Sequence, residues 1–529
     1  MKRMSAAALI VGAAVFFVLF DHLAFFRNVL EVYPVSLKNI GFLASLALVL
    51  TGVMVILLTL VSSRYTLKPI LILLLLVAAI ASYFMNNYNA VIDRTMIRNV
   101  FATNLQEAVE LFSVKMVLYL LFLGVLPSLW VYRVEVKHGP WKTELISRVK
   151  IVALSLAVIL LSVFVFSKFY TSFLREHKPL RYRTNPTYVL YSLGKYVNGK
   201  FKDRSIALRR IGQDARIPPT DTDRELIIVV VGEAARADRF SLNGYPRETN
   251  PLLKKEDVIS LTNVQACGTS TEVSVPCMFS MYARDSYSEK KGAATENVLD
   301  VLRHAGVSIL WRENNSDSKG VALRVQYEDY RKPERNPICD VECRDEGMLE
   351  GLQSYIDGQH RGDILIVLHQ MGNHGPAYYK RYPKSFEKFR PTCRTNQFDE
   401  CSREAISNAY DNALLYTDYF LSKTIGLLKR NDRRFETALI YIGDHGESLG
   451  EKGVYLHGLP YLIAPDAQKR VAAILWLGND FQTQKKWLKN RTGQGYSHEN
   501  LFHTLLGLME VDTAVYDKKK DILNQCCPG

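Results

Sequence analysis

Cysteine is missing from the first 266 residues; all eight follow, as Cys267/Cys277, Cys339/Cys343, Cys393/Cys401 and Cys526/Cys527. No CxxC pair stands with histidines at finger spacing, which argues against a zinc-finger cluster, and nothing resembles a thioredoxin-like motif. The even number and close spacing suit short disulfide loops in an oxidising compartment, with the connectivity left open. Acid is scarce at the start as well: residues 1–220 hold 10 Asp/Glu against 26 Lys/Arg, a net of +16. Residues 221–529 hold 43 against 40, a net of −3. The total of +13 over 529 residues therefore belongs to the first half and removes most of the support for nucleic-acid binding. That length accommodates at least two domains with their own cores.

What fills the cysteine-free half is apolar. Residues 5–26, 40–61, 67–88, 114–132 and 149–169 each approach the length that crosses a bilayer. No convincing small-residue cleavage site follows the first, so with Lys2 and Arg3 ahead of it the segment reads as a retained anchor. With the N-terminus inside, the inner loops carry Lys2, Arg3, Arg64, Lys68, Arg133, Lys137, Lys142, Arg148 and Lys150. The outer loops carry fewer: Arg27, Lys38, Arg94, Arg98 and Lys115. This satisfies the positive-inside bias and places everything beyond residue 171 on the outer face, in agreement with the cysteines.

Two outer segments stand out. Asn99, Thr103 and Glu107 recur at i, i+4 and i+8, which aligns them on one helix face; spacing alone leaves open a solvated loop helix or a binding role. Residues 170–216 mix Lys/Arg with Phe173, Tyr182, Tyr188, Tyr191 and Tyr196, a composition suited to an anionic headgroup surface. Pro218-Pro219 then reads as a boundary.

Beyond it, the apolar runs 226–231, 363–368 and 438–442 read as buried strands, with a helical pattern over 407–430 between the last two. The alternation predicts an α/β domain with a largely parallel sheet, whose chemistry gathers past the carboxyl ends of its strands. Glu233, His369 to His374 and Asp444-His445 fall there. With a hydroxyl of the 267–277 loop they suit a divalent metal, which lowers the pKa of a bound hydroxyl. Each alone has a plainer reading: Glu233 as a helix cap, Thr271 as a turn residue, Asp444-His445 as chance.

The stretches VVGEAARADRFSLNGY (230–245), CGTSTEVSVPC (267–277), HQMGNHGPAYYKRYP (369–383) and GDHGESLGEKGVYLHG (443–458) resemble the phosphoethanolamine transferase family. That family modifies lipid A in the outer membrane of Gram-negative bacteria and includes the mobile colistin-resistance enzymes. The resemblance implies a five-span α-helical transmembrane domain (1–170), a basic interfacial linker (171–220) and a periplasmic α/β catalytic domain (221–529) like those of sulfatases and alkaline phosphatases. It implies one or two zinc ions on Glu233, Thr271, Asp444 and His445, with Thr271 the nucleophile that carries phosphoethanolamine. His374 and His457 would contact the transferred phosphate or move protons, Ser316 and Lys319 would hold substrate, and Asn99, Thr103 and Glu107 would meet the phosphoethanolamine headgroup.

The implied reaction takes phosphoethanolamine from phosphatidylethanolamine to a lipid A phosphate, releases diacylglycerol and leads to polymyxin resistance. The implied protein is a monomer in the bacterial inner membrane. A sulfatase-like phosphodiesterase, transfer to core sugars and a non-catalytic binding protein are the competing readings. Two departures from the family pattern are Ala234, where a small hydroxyl residue is common, and Glu272, a carboxylate beside the nucleophile. Cys526-Cys527 has no family role.

Overall fold

A computed structural model of the protein describes residues 3–102, 111–137, 139–202 and 207–524. The chain folds into two compact units, Met1–Ile97 with Phe112–Gly199 and Arg98–Leu111 with Lys200–Gly529.

Among the described residues of the first unit, four helices are long and apolar enough to cross a membrane: Ile40–Val61, Leu67–Tyr88, Val114–Arg133 and Trp141–Val165. The shortest has 20 residues, and at 1.5 Å per residue that matches a hydrocarbon core of about 30 Å. The segment expected as the first span is broken: Ala6–Asp21 meets Leu23–Val32 at 59°, and counting this pair as one span brings the total to five. The break falls on Asp21-His22, where the apolar run is interrupted, after a π-helical stretch Phe17–Asp21. Polar groups away from water must satisfy one another. Ser82 Oγ donates to Asp21 Oδ1 at 2.6 Å, while Asn185 Nδ2 donates to Ser82 Oγ and Ala78 O, both at 2.9 Å. The aromatic-basic stretch is thereby tied to helix Leu67–Tyr88, with Arg181 over the Tyr182 ring and Lys195 over Tyr191. Helix α1 (Arg94–Ala102) contains Asn99, and its residues from Arg98 onward belong to the second unit.

The second unit is built on an eight-stranded sheet. Its strands are β1 (Glu225–Gly232), β2 (Ile259–Gln265), β3 (Ser308–Glu313), β4 (Gln326–Asp329), β5 (Ile364–His369), β6 (Glu436–Gly443), β7 (Arg470–Leu477) and β8 (Tyr496–Ser497). They run in the order β8-β2-β7-β6-β1-β5-β3-β4. β7 is antiparallel to both neighbours; the other pairs are parallel. β1 is buried along its whole length, as a central strand covered on both faces must be. Ile227, Val229 and Val231 turn to the face covered by α2 (Thr271–Met278), α3 (Val298–His304) and α5 (Glu499–Leu508). The 29-residue α4 (Arg403–Asn431) packs on β6.

Candidate active site

Glu233 and Asp444 are the residues just past β1 and β6. Register pairs Gly232 with Gly443, so the two carboxylates leave the sheet side by side. The chain turns sharply after Glu233: Ala234 adopts φ 51°, the left-handed region, at a local cost of order 1 kcal/mol. Three bonds hold that turn. Asp444 N donates to Gly232 O at 2.8 Å, Ala234 N to Asp444 Oδ1 at 3.1 Å, and Tyr410 OH to Ala234 O at 2.6 Å. Gly372 closes the opposite wall at φ 47°, and a Cβ there would stand 3.1 Å from Glu233 N. Thr271 opens α2, with Ser270 as the extended residue before it.

These elements bring four donor atoms together. His445 Nε2 lies 3.3 Å from Thr271 Oγ1, 3.3 Å from Glu233 Oε1 and 3.4 Å from Asp444 Oδ2. Thr271 Oγ1 donates to Glu233 Oε2 at 2.9 Å. Ligands about 2.0–2.1 Å from a tetrahedral ion stand about 3.3 Å apart, so the spacing fits a metal such as zinc. The hydrogen bonds agree. Glu233 Oε1 and Asp444 Oδ2 are buried with no hydrogen-bond donor among the described residues. His445 Nδ1 is 2.8 Å from Gly446 O, which can only accept, so Nδ1 carries hydrogen and Nε2 faces the cluster.

The electrostatics point the same way. Burial disfavours the His445 cation, but Asp444 and Glu233 outweigh it and push its pKa up to about 10. Burial also opposes the Glu233 carboxylate, yet the histidines hold it well below the usual range. Burial and then Glu233 raise Asp444. Two buried carboxylates here demand positive charge, which a divalent cation supplies more fully than an imidazolium.

A metal-capable trio of Glu233, His445 and His457, all within 4.8 Å, overlaps this set. Asp444 Oδ2, 3.4 Å from His445 Nε2, adds a further oxygen beside this trio, and His457, whose Nδ1 is 2.8 Å from Glu447 Oε2, keeps its Nε2 available. The His457 ring lies 4.2 Å from that of His445 and 6.0 Å from that of His374. His374 Nδ1 has no partner among the described residues. The two histidines thus flank the open side of the cluster.

Lys319, at φ 52°, donates from Nζ to Ser316 O at 3.1 Å and sits 3.6 Å from Glu272 Oε2. Asn99 Nδ2 is 4.0 Å from where a side chain on Gly458 would begin, one residue past His457. Thr103, Glu107 and the Cys526-Cys527 pair lie outside the described residues. The disulfides pair Cys267 with Cys277, Cys339 with Cys343 and Cys393 with Cys401. The first of these spans the loop and α2 around Thr271.

Three contributors were not singled out from sequence. Glu447 is fully buried, orients His457, and accepts from Tyr378 OH at 2.7 Å. Asn315 Nδ2 donates to Glu233 Oε2 at 2.8 Å. Arg98 pairs with Glu272 at 2.5 Å and Glu289 at 2.7 Å. Only Glu447 had a signal, its place inside the motif that carries Asp444 and His445.

Residues 225–511 match the sulfatase family, and residues 50–201 match the family described as phosphoethanolamine transferase EptA/EptB. The phosphatidylethanolamine transferase Mcr-1 of Escherichia coli is 44% identical over 98% of this chain and 97% of its own. The phosphoethanolamine transferase EptA of Escherichia coli strain K12 is 42% identical over 96% of this chain and 94% of its own. Among solved structures, the integral membrane lipooligosaccharide phosphoethanolamine transferase A from Neisseria meningitidis superposes with a TM-score of 0.95. It covers all of both chains at 33% identity. The chain is a multi-pass membrane protein with a sulfatase-like second unit, and it belongs to the phosphoethanolamine transferase family.

Proposed function

We propose that the protein transfers phosphoethanolamine from phosphatidylethanolamine to a phosphate of lipid A, by way of Thr271. The observation that carries this reading is Thr271 Oγ1 set 2.9 Å from Glu233 Oε2 and 3.3 Å from His445 Nε2, beside two buried carboxylate oxygens with no donor among the described residues. In the first half-reaction Oγ1 attacks the phosphorus, and its proton leaves along the bond to Glu233 Oε2. The bond from phosphorus to the glycerol oxygen breaks, His374 or His457 protonates that oxygen, and diacylglycerol departs. In the second, a lipid A phosphate oxygen attacks, the phosphorus–Oγ1 bond breaks, Thr271 recovers its proton, and the acid histidine is reprotonated by the acceptor.

Glu447 holds the His457 ring by Nδ1, which leaves Nε2 for the substrate oxygen. Lys319 supplies fixed positive charge near the phosphate, and α2 points its N-terminus at the same place. Glu233, Thr271, Asp444 and His445 would hold one of one or two zinc ions, whose Lewis acidity when bound would favour the nucleophilic form of the Thr271 hydroxyl. Asn99, Thr103 and Glu107 are assigned to the headgroup, and Ser316 to substrate.

In this reading residues 1–170 are the anchor, 171–220 the interfacial stretch and 221–529 the catalytic domain, which lies in the periplasm, with the chain a monomer in the bacterial inner membrane. Transfer places an ammonium on a lipid A phosphate, lowers surface negative charge and weakens binding of cationic polymyxins. The test is mass spectrometry of lipid A from cells expressing the protein or its Thr271→Ala variant. Gain of one phosphoethanolamine by the first and none by the second is expected. Free phosphoethanolamine without modified lipid A would instead indicate a hydrolase.

A further inference from the structure

Glu272, a carboxylate directly beside the nucleophile, has its charge and its backbone carbonyl taken up by other residues of the second unit. The carbonyl stands in the first turn of α2, where its helical donor would be the N–H of residue 276. That residue is Pro276, which has no N–H and whose ring pushes against the carbonyl four residues back. An eight-residue helix thus lacks one of its few internal bonds, in the turn that begins with Thr271. Arg98 supplies the missing donor.

Its Nη2 donates to Glu272 O and its Nε to Glu272 Oε1 at 2.5 Å. Its Nη1 lies 2.7 Å from Glu289 Oε2. All three guanidinium nitrogens are engaged inside the protein, so Arg98 is not oriented to grip a substrate phosphate. The remaining Glu272 oxygen lies 3.6 Å from Lys319 Nζ. The run Glu289, Arg98, Glu272, Lys319 alternates in sign, and the Glu272 charge is balanced by two cations. An exposed ion pair contributes little, but this side chain is only 20% exposed and also completes a helix turn.

We propose that Arg98 is a positioning residue for the transfer: it replaces the hydrogen bond that Pro276 removes from α2 and thereby keeps Thr271 Oγ1 within reach of Glu233 and His445. The inference rests on Thr271 as nucleophile. It separates Arg98 from its neighbour Asn99, which is assigned to the headgroup. Loss of a headgroup contact raises KM, whereas a displaced nucleophile lowers kcat.

The experiment uses full-length protein in mixed micelles with phosphatidylethanolamine and lipid A. It measures kcat, KM for phosphatidylethanolamine and Tm for wild type, Arg98→Gln, Arg98→Lys, Pro276→Ala, Arg98→Gln/Pro276→Ala and Thr271→Ala. Arg98→Gln is expected to lower kcat by about 10-fold to 100-fold, the size of effect an ångström of misplacement produces, with KM and Tm unchanged. Arg98→Lys, whose single ammonium cannot span the carbonyl and both carboxylates, is expected to recover part of the loss. Pro276→Ala restores the helical N–H, so the Arg98→Gln loss is expected to be smaller in that background. The proposal is overturned if Arg98→Gln matches wild type, if its effect is confined to KM, if kcat falls only in step with Tm, or if Pro276→Ala leaves the Arg98→Gln loss undiminished. Full transfer by Thr271→Ala would overturn the nucleophile reading itself, whatever Arg98 does.

Discussion

Glu447 fixes the ring of His457 beside the candidate metal cluster. Glu447 is buried between two donors, His457 Nδ1 at 2.8 Å and Tyr378 OH at 2.7 Å, so its carboxylate is both oriented and satisfied. Glu447→Gln keeps the size but offers an amide that can satisfy only one of those donors by its oxygen. On the proposed mechanism the expected result is a fall in kcat of about 10-fold to 100-fold, the usual cost of losing a partner that orients a site histidine, with phosphatidylethanolamine KM retained. Tyr378→Phe removes one donor and leaves the carboxylate on His457, and is expected to fall less. A steady-state comparison of the two variants checks the order. Glu233, Asp444 and His445 were legible in the sequence because each follows an apolar run and carries a donor type that metals use. Glu447 and Arg98 were harder to see, since each acts on a partner through the fold: Glu447 on a histidine 10 residues on, and Arg98 on a helix 174 residues away.

Secondary-structure elements were legible where burial leaves a continuous signature. The runs at 226–231, 363–368 and 438–442 appear as β1, β5 and β6, and the helix expected over 407–430 appears as α4 (Arg403–Asn431). β4 (Gln326–Asp329) carries no apolar run, because an edge strand is buried on few sides. The antiparallel sense of β7 leaves no trace in its own composition. At the opposite end of the sheet from the candidate site, a second carboxylate pair sits where β1 and β5 begin. Glu225 N donates to Asp363 Oδ1 at 3.3 Å, and Glu225 is almost wholly buried.

Burial, then the hydrogen bond and charge of Asp363, push the Glu225 carboxyl up to about 9. In the unfolded chain it titrates near about 4.3. Between those values the folded state holds a proton that the unfolded state has released, so stability falls as pH rises from about 4.3 toward about 9. Glu225→Gln keeps a hydrogen-bonding side chain without the proton. It is expected to flatten that decline and to raise the apparent Tm at pH 9, by about 2–4 °C for each kcal/mol recovered. Thermal melts at pH 5 and pH 9 check it: a wild type and variant with parallel pH profiles would show that the pair shares no proton.

For the molecule as a whole, charge and cysteine placement are independent constraints that agree. Among the N-terminus and the loops between the apolar segments, those assigned to the inner face carry nine Lys/Arg against five in the outer ones, while the three disulfides among the described residues lie in the second unit. A loop rich in cations resists translocation, and a disulfide persists only in an oxidising compartment. Both support the proposal that the second unit lies on the outer face. The grouping of Arg98–Leu111 with that unit was not legible, because nothing in the local composition distinguishes it from any other loop beside a membrane. The orientation decides which lipid A the enzyme can reach, since an acceptor on the far side of the bilayer is closed to it. Protease added to spheroplasts is expected to cut within 221–529 and to spare the apolar helices, whereas sealed inside-out vesicles are expected to protect that domain. The opposite pattern would invert the topology and remove the second unit from the face on which the proposed acceptor lies.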